Sequence, residues 1–277
     1  MPFRAGAGAL MPDWLVRVTA GLVAAAAIAL AARRAGSLST SGAAAATAVG
    51  TAAVAAGWAW GALLVLYFVA SSLLSHAGGT EKARRIESIV AKGGARDAIQ
   101  VVANGGVFAL CALCAMAAGG DAARALAAGA TGALAAAAAD TWATEVGTLF
   151  GGTPRALLTL RRVPAGTSGA VSAAGTVAMI AGALFLALAA RVLGLTDALA
   201  AVTLGGTAGA MADSLIGATL QERRWCDACA RGTERRVHDC GAPTRLAGGL
   251  AVVDNDAVNL LATLVGATAA ALLAFHG

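Results

Sequence analysis

The chain has 277 residues, of which 58% are hydrophobic and only 13% are charged. Soluble domains are about one quarter charged, so this composition excludes an ordinary soluble globular protein. The net charge of +5 requires no nucleic-acid partner, because the distribution of basic residues reflects membrane orientation. Gly and Ala are abundant, and such small residues let helices pack closely in lipid. We therefore predict an all-α fold, a polytopic transmembrane helix bundle that forms a single domain over residues 1–277.

Eight apolar segments are long enough to cross the hydrocarbon core of a bilayer, which takes about 20 residues. Only Gly57 separates the second segment from the third, so the expected range is seven to nine spans. The first segment lacks a small-residue cleavage site followed by a soluble domain, and we expect it to be a retained helix. The predicted spans are 14–32, 39–56, 58–75, 99–118, 123–149, 168–190, 197–217 and 249–275.

Lys and Arg residues are concentrated in the loops after the first, third, fifth and seventh spans. These loops hold 16 of the 20 basic residues, and only Arg4, Arg17, Arg124 and Arg191 fall elsewhere. An excess of Lys and Arg marks cytoplasmic loops. We expect these four loops to be cytoplasmic and both termini to lie outside. The expected location is a bacterial cytoplasmic membrane.

The stretch "AKGGARDAIQVVANGG" at 91–106 joins the third loop to an apolar helix. Glycine-rich backbone at a helix N-terminus exposes N–H groups that suit phosphate, and an Arg side chain adds a bidentate fork. The competing interpretation is a solvated charge cluster beside the membrane. The stretch is not a P-loop, because the spacing of that motif is absent. The candidate residues are Lys92, Gly93, Gly94, Arg96, Asp97 and the pair Gln100 and Asn104, which share a helix face.

The fifth span carries two acids, Asp140 and Glu145, within "AAAAADTWATEVGTLFGG" at 135–152. Ionisable groups inside spans are costly and by default mark function. The two acids point about 140° apart on a straight helix. We therefore expect either a break in the helix, or one acid that binds a cation while the other orients a basic residue. The alternative is that both acids emerge into the headgroup zone.

The fifth loop and the start of the next predicted span read "TPRALLTLRRVPAGTSGAVSAAG" at 153–175. Arginines precede small residues and hydroxyl groups at a helix N-terminus, which is a second candidate site for an anion. The alternative is a capped helix that follows ordinary cytoplasmic arginines. The candidate residues are Arg155, Arg162, Thr167, Ser168 and Gly169.

Acids also occur in the last two spans. Asp213 shares a face of its helix with Gly206, Ala210 and Gly217, where it could bind a cation or pair with an Arg. The stretch "DNDAVN" at 254–259 places carboxylates and amide oxygens together, and these are the ligands of hard cations. A Mg²⁺ ion held by carboxylates and substrate phosphates would explain why these acids lie at the same depth in the membrane as the loops that are suited to binding phosphate. The predicted Mg²⁺ ligands are Asp140, Glu145, Asp213, Asp254, Asn255, Asp256 and Asn259.

The seventh loop contains an insert at 221–248 with Cys226-x-x-Cys229 and His238-x-Cys240. Three thiolates and one imidazole form a tetrahedral zinc set, although the second pair is closer in sequence than usual. A cytoplasmic location argues against disulfides. A structural Zn²⁺ site and a loop without metal both remain open.

Five motifs together resemble a known family. They are "KGGARDAIQVVANGG", "ADTWATEVG", "PRALLTLRRVPAGTSGAVS", "ADSLIGATLQ" and "DNDAVNL", in that order. They resemble the integral-membrane family, domain of unknown function 92, that includes plant and cyanobacterial phytyl-phosphate kinase and eukaryotic transmembrane protein 19. The resemblance covers about residues 40–275. It implies phosphorylation of an isoprenoid monophosphate to the diphosphate by a nucleoside triphosphate, with CTP as donor.

The predicted function is therefore a membrane polyprenyl-phosphate kinase, with Mg²⁺ as cofactor and a nucleoside triphosphate and an isoprenoid monophosphate as partners. A phosphate monoester is already a nucleophile at neutral pH, so no general base is needed. One alternative is a lipid-phosphate cytidylyltransferase, which attacks the α-phosphate. Another is a transporter of a phosphorylated or cationic solute. The predicted catalytic residues are Lys92, Arg96, Asp97, Asp140, Glu145 and Asp213. The residues predicted to bind phosphate are Gly93, Gly94, Gln100, Asn104, Arg155, Arg162, Thr167, Ser168 and Gly169.

Overall fold

A computed structural model describes residues 13–77 and 94–276. Within these residues there are eight helices, and seven of them are long and apolar enough to cross a membrane. The remaining helix, α2, is apolar but has only 17 residues. The predicted helical membrane bundle of about eight spans is confirmed. The helices are α1 (Asp13–Arg34), α2 (Thr40–Ala56), α3 (Trp58–Ala77), α4 (Ala98–Ala117), α5 (Gly120–Phe150), α6 (Ala173–Val192), α7 (Leu199–Thr219) and α8 (Asn255–His276).

Five short strands lie in the two longest connections between the described helices. Strands β1 (Arg155–Ala156) and β2 (Ala170–Val171) pair as an antiparallel ladder between α5 and α6. A three-stranded antiparallel sheet lies between α7 and α8, in the order β4-β3-β5. Its strands are β3 (Arg223–Cys226), β4 (Arg231–Thr233) and β5 (Arg245–Gly248).

Helix α5 forms the centre of the bundle and contacts α3, α4, α6, α7 and α8. Every residue from Ala127 to Ala139 is buried, as expected for a helix that is apolar on all sides and surrounded by others. A Cβ placed on Gly132 would lie 2.6 Å from the carbonyl oxygen of Gly266. The helices α5 and α8 therefore meet through their backbones, which only small residues allow.

Two helices begin five or more residues later than the hydropathy pattern predicted. Helix α6 begins at Ala173 rather than at 168, because Gly169 adopts a positive φ of 71° and Ser172 caps the helix by accepting a hydrogen bond from the N–H of Gly175. Helix α8 begins at Asn255 rather than at 249, and Asp254 accepts a hydrogen bond from the N–H of Ala257 in its first turn. In contrast, α5 runs unbroken through Asp140 and Glu145. The alternative that the helix breaks there is wrong.

Candidate functional site

A cavity of about 600 Å³ lies at one end of the bundle. Its wall is formed by the C-terminal parts of α3, α5 and α7, the N-terminal parts of α4, α6 and α8, and the α1–α2 loop. Each connection in which Lys and Arg are concentrated contributes to it, through Ser37, Gly94, Thr167 and Glu234. The predicted polar segments, separated along the chain, therefore meet around one space.

The position of the cavity across the membrane follows from the length of α5. The exposed ion pair of Asp121 and Arg124 marks the opposite end of this helix. Asp140 is 19 residues further along, which is about 29 Å at the rise of an α-helix. The hydrocarbon core of a bilayer is about 30 Å thick. Asp140 thus lies close to the other membrane interface, where a polar cavity is compatible with the bilayer.

Arg96 lines the cavity on a segment that is fixed on both sides. Its backbone N–H donates to the carbonyl of Ser37 at 3.0 Å, and its carbonyl accepts from the N–H of Ser39 at 3.0 Å. Its guanidinium donates to the hydroxyls of Ser72 at 3.2 Å and Ser75 at 3.4 Å. The same group lies 5.9 Å from the ring centroid of Phe68. The cation is therefore held in one orientation by α3.

The start of α4 carries a capping box. The side chain of Asp97 accepts from the N–H of Gln100 at 3.0 Å, and the Gln100 side chain accepts from the N–H of Asp97 at 3.0 Å. Asn104 donates to the carbonyl of Gln100 at 2.9 Å. Gln100 and Asn104 line the cavity. Helix capping accounts for Asp97 without any contact with a substrate, and its catalytic role stays a prediction.

Among the described residues, four carboxylates line the cavity: Asp140 and Glu145 from α5, Asp213 from α7, and Glu234, which follows β4. Asp140 interacts electrostatically with Glu145, and Asp213 with both Asp140 and Glu234. Glu145 is buried, whereas Asp140 and Asp213 are half-buried. The amides of Asn255 and Asn259 complete this acidic side of the wall.

The loop that precedes α6 forms a further part of the wall, from Ala165 to Ser172. A Cβ on Gly169 would lie 2.4 Å from the backbone nitrogen of Ala218, so the loop rests directly on the end of α7. Next to it, the hydroxyl of Ser168 donates a hydrogen bond to Glu234. The hydroxyl of Thr167 donates to the carbonyl of Pro164 at 2.8 Å.

Asp254 and Asp256 lie in a second cavity of about 330 Å³, together with Glu222, Arg235 and Arg236. Glu234 and Asn255 line both cavities, so the two spaces adjoin. The predicted metal ligands are thus divided between neighbouring cavities. Asp256 is buried, whereas Asp254 is exposed at the first turn of α8.

Several predicted residues lie outside the first cavity. Arg155 and Arg162 are exposed and form a bridge with each other through their backbones, and the side chain of Arg155 donates to the carbonyl of Leu160 at 2.8 Å. Lys92 and Gly93 lie outside the residues that the structure describes. The roles of these four residues in phosphate binding or catalysis stay predictions.

Sequence analysis missed Glu234, Ser72 and Ser75. Glu234 stands in the segment "RGTERRVHDC", where an acid among arginines is typical of a solvated loop. Ser72 and Ser75 lie at the end of an otherwise apolar span, next to Ser71 and His76. A signal was present for both serines, since Ser72 and Ser75 are three residues apart and so share a helix face.

An apolar helix bundle with a polar, acid-rich cavity at one end defines a polytopic integral membrane protein. The chain belongs to the family described as integral membrane protein DUF92, whose model matches residues 23–267. The family predicted from the five motifs is therefore confirmed.

Relatives in three lineages are similar to the chain. Protein PGR of Arabidopsis thaliana is 29% identical over 273 residues, which cover 90% of this chain and 93% of PGR. An uncharacterized membrane protein of Methanocaldococcus jannaschii is 31% identical over 129 residues, or 46% of this chain and 43% of that protein. An uncharacterized membrane protein of Synechocystis is 33% identical over 172 residues, or 61% of this chain and 66% of that protein. No solved structure matches the chain.

Proposed function

We propose that the protein is a membrane phosphotransferase that transfers the γ-phosphate of CTP to an isoprenoid monophosphate and forms the diphosphate. The observation that carries this proposal is the convergence of an oriented Arg96, a glycine-containing loop and several carboxylates on one cavity. Its volume of about 600 Å³ lies in the range of sites that bind small molecules and cofactors. The family resemblance supplies the substrate class.

The acidic side of the cavity has the chemistry of a Mg²⁺ site. Asp140 and Asp213 form no ion pair with any Lys or Arg within residues 13–77 and 94–276. Carboxylate and amide oxygens are the hard ligands that Mg²⁺ takes, together with substrate phosphates. When bound, Mg²⁺ neutralises charge on the transferring phosphate. The residues that would hold it are Asp140, Glu145, Asp213, Asn255 and Asn259, with Asp254 and Asp256 from the adjoining cavity.

The basic side of the cavity would bind the phosphates. The guanidinium of Arg96 presents donors in a fork that matches phosphate oxygens, and its hydrogen bonds to Ser72 and Ser75 fix its direction. The loop containing Thr167, Ser168 and Gly169 would add donors to the phosphate if the hydroxyls of Thr167 and Ser168 turn away from their present acceptors, Pro164 and Glu234. Lys92, which precedes Arg96 by four residues in the sequence, would add a further positive charge.

The transfer needs no protein base. The acceptor phosphate has a second pKa of about 6, so its oxygen is ionised at neutral pH. This oxygen attacks the γ-phosphorus, the bond from that phosphorus to the bridging oxygen breaks, and the nucleoside diphosphate leaves. The chain's contribution is to position two anions that repel each other, which is the main catalytic task in phosphoryl transfer.

The isoprenoid tail would leave the cavity between α3 and α6, which make few contacts with each other. Leu73 is 69% exposed and Val177 is 68% exposed. Each follows directly after a residue that lines the cavity, Ser72 and Thr176 respectively. A polar cavity therefore adjoins an apolar outer surface at this position, which suits a substrate with a phosphate head and a hydrocarbon tail.

Transport is the less supported function. The stretch Ala127–Ala139 of α5, towards the other end of the bundle from the cavity, is buried on all sides. A solute would need a polar path through this part of the bundle. Small residues in backbone contact, as between Gly132 and Gly266, leave little room for one.

The test uses purified protein in detergent with Mg²⁺, prenyl monophosphates of several lengths, and CTP labelled at either the α- or the γ-phosphate. We expect γ-label in a prenyl diphosphate, identified by mass spectrometry. The α-label in a lipid product, with release of pyrophosphate, would instead identify a cytidylyltransferase. Folded protein that forms neither product with CTP or ATP would overturn the proposal. Uptake of solute into proteoliposomes without nucleotide would favour transport.

A further inference from the structure

The second cluster of reactive side chains lies in the small sheet between α7 and α8. Cys226 ends β3, and Cys229 lies in the turn that leads to β4. His238 and Cys240 lie in a second turn, which is closed by the bridge between Val237 and Pro243. One ligand atom from each of the four residues lies within 4.8 Å of every other. Two turns from different parts of the segment thus bring three thiols and one imidazole to a single point.

The distances between these atoms distinguish a metal site from a disulfide. The sulfurs of Cys226 and Cys240 are 3.7 Å apart, far longer than the bond of about 2.05 Å in a disulfide. Thiolates that bind Zn²⁺ at about 2.3 Å in a tetrahedron are about 3.8 Å apart. The Nδ1 of His238 lies 3.3 Å from the sulfur of Cys240. Both distances fit ligands around one ion.

His238 is buried and directs its Nδ1 at the thiols. The side chain is only 7% exposed, and its Nε2 has no hydrogen-bond partner in the part of the chain that the structure describes. Its Nδ1 faces Cys240, through the sulfur and the backbone N–H. A buried imidazole directed at thiols is the usual arrangement of a zinc ligand.

The sheet itself has little else to stabilise it. Each of its two strand pairings has only three residue pairs, and the buried side chains around it are small or polar, such as Thr233 and Thr244. Short strands without an apolar core are marginal in water. Small folds of this kind commonly depend on a bound metal or a disulfide.

We propose that Cys226, Cys229, His238 and Cys240 bind one Zn²⁺ ion, which holds the β3–β5 sheet in place and thereby positions Glu234 at the cavity. Glu234 directly follows β4 and accepts hydrogen bonds from Ser168 and, at 3.1 Å, from Gln221. The ion is therefore structural, and it lies outside the cavity wall. The part of this inference that concerns Glu234 rests on the proposed function, whereas zinc binding does not.

The first test measures zinc in the purified full-length protein by inductively coupled plasma mass spectrometry. We expect about one zinc per chain in the native protein and none in Cys229→Ser. The matched control is Cys114→Ser, since Cys114 lies on α4 outside the cluster, and it should keep one zinc. Folded native protein without zinc, or a Cys229→Ser variant that retains it, would overturn the proposal.

A second measurement covers the case in which Cys229→Ser does not fold. Native protein produced with Co²⁺ should show the ligand-field absorption of tetrahedral cobalt with thiolate ligands. A chelator should abolish that absorption and expose the sheet to protease while the helices remain intact. Thiols that are released by a reducing agent alone, and not by a chelator, would identify a disulfide and refute the zinc site. None of these measurements depends on kinase activity.

Discussion

Gly169 and Ala218 join the loop before α6 to the end of α7. A Cβ on Gly169 would lie 2.4 Å from the nitrogen and 2.5 Å from the Cβ of Ala218. The φ of Gly169 is also positive, at 71°, a conformation that costs other residues about 1–2 kcal/mol. Two independent constraints therefore require glycine at this position of the cavity wall.

Gly169→Ala should reduce turnover at least tenfold, because the added methyl group forces the loop away from α7 and displaces Ser168. The control is Gly194→Ala, since Gly194 also has a positive φ, of 69°, but has no neighbour within 4 Å and lies at the other end of the bundle. It should lose about 1 kcal/mol of stability and keep its activity. Initial rates and thermal unfolding in detergent distinguish the two effects. Equal activity of both variants would contradict the role of the contact.

Asp213→Asn should lower turnover by about a hundredfold or more, the scale of losing one electrostatic contact in an active site, while the protein stays folded. The variant should also lose the stabilisation that Mg²⁺ gives the native protein in a thermal unfolding assay. Asp256→Asn should have the same effect on turnover if the two cavities share a metal. The matched control is Asp121→Asn, at the opposite end of α5. Native rates in Asp213→Asn would remove Asp213 from the site.

Arg96→Lys should raise the KM for the phosphate substrates about tenfold or more, because Lys keeps the charge but not the fork that reaches Ser72 and Ser75. Hydrogen bonds to charged groups are worth about 1.5–3 kcal/mol. Arg124→Lys serves as control, because Arg124 is exposed at the opposite end of α5 from the cavity. Steady-state kinetics with each substrate in turn measure the change. An unchanged KM in Arg96→Lys would argue against phosphate binding by Arg96.

The orientation of the bundle can be tested with an impermeant maleimide on intact cells. Ala117→Cys, at the end of α4 away from the cavity, should react from outside. Ala35→Cys, at the cavity end of α1, should react only after the membrane is opened. Both positions are exposed, and labelling is compared with that of the native cysteines. The reverse pattern would place the cavity outside the cell.

Protein stripped of metal should be alkylated at Cys240 before Cys229. The backbone N–H of Ala242 and the side chain of His238 lower the pKa of Cys240 to about 6, whereas a hydrogen bond to Cys240 raises the pKa of Cys229 to about 11. The thiolate is the reactive form, so at pH 7 Cys240 is mostly ionised and Cys229 is not. The rate at Cys240 should fall as the pH drops below 6. Peptide mass spectrometry after brief treatment with iodoacetamide gives both rates.

Hydropathy predicted the helices because each apolar segment must be long enough for the bilayer. It did not predict where α6 and α8 begin, because those positions depend on the φ of Gly169 and on the caps Ser172 and Asp254. The short strands gave no signal of their own, since segments of two to four residues are too short to show the alternating pattern of a strand. The "DAIQ" stretch at 97–100 is a capping-box pattern, and it could have shown that Asp97 begins a helix.

The convergence of Asp140, Glu145, Asp213, Asn255 and Asn259 followed from placing each polar residue at the same end of its span. The contribution of Glu234 could not be predicted in this way, because it depends on how the β3–β5 sheet sits over the cavity. The position of Asp256 in the adjoining cavity, rather than in the first one, also depends on where this sheet lies. Residue depth along a helix can be counted in a sequence, whereas the position of a small sheet cannot.

The buried run of small residues in α5 limits which parts of the bundle can change shape. Between Ala127 and Ala139 every side of the helix touches a neighbour, so a larger side chain there would push helices apart rather than reshape the cavity. Under the proposed function, adaptation to a longer, shorter or bulkier tail would therefore come from α3 and α6, between which the tail is proposed to leave the cavity. Divergence among homologues is expected to concentrate on those two helices, with α5 nearly invariant in residue size.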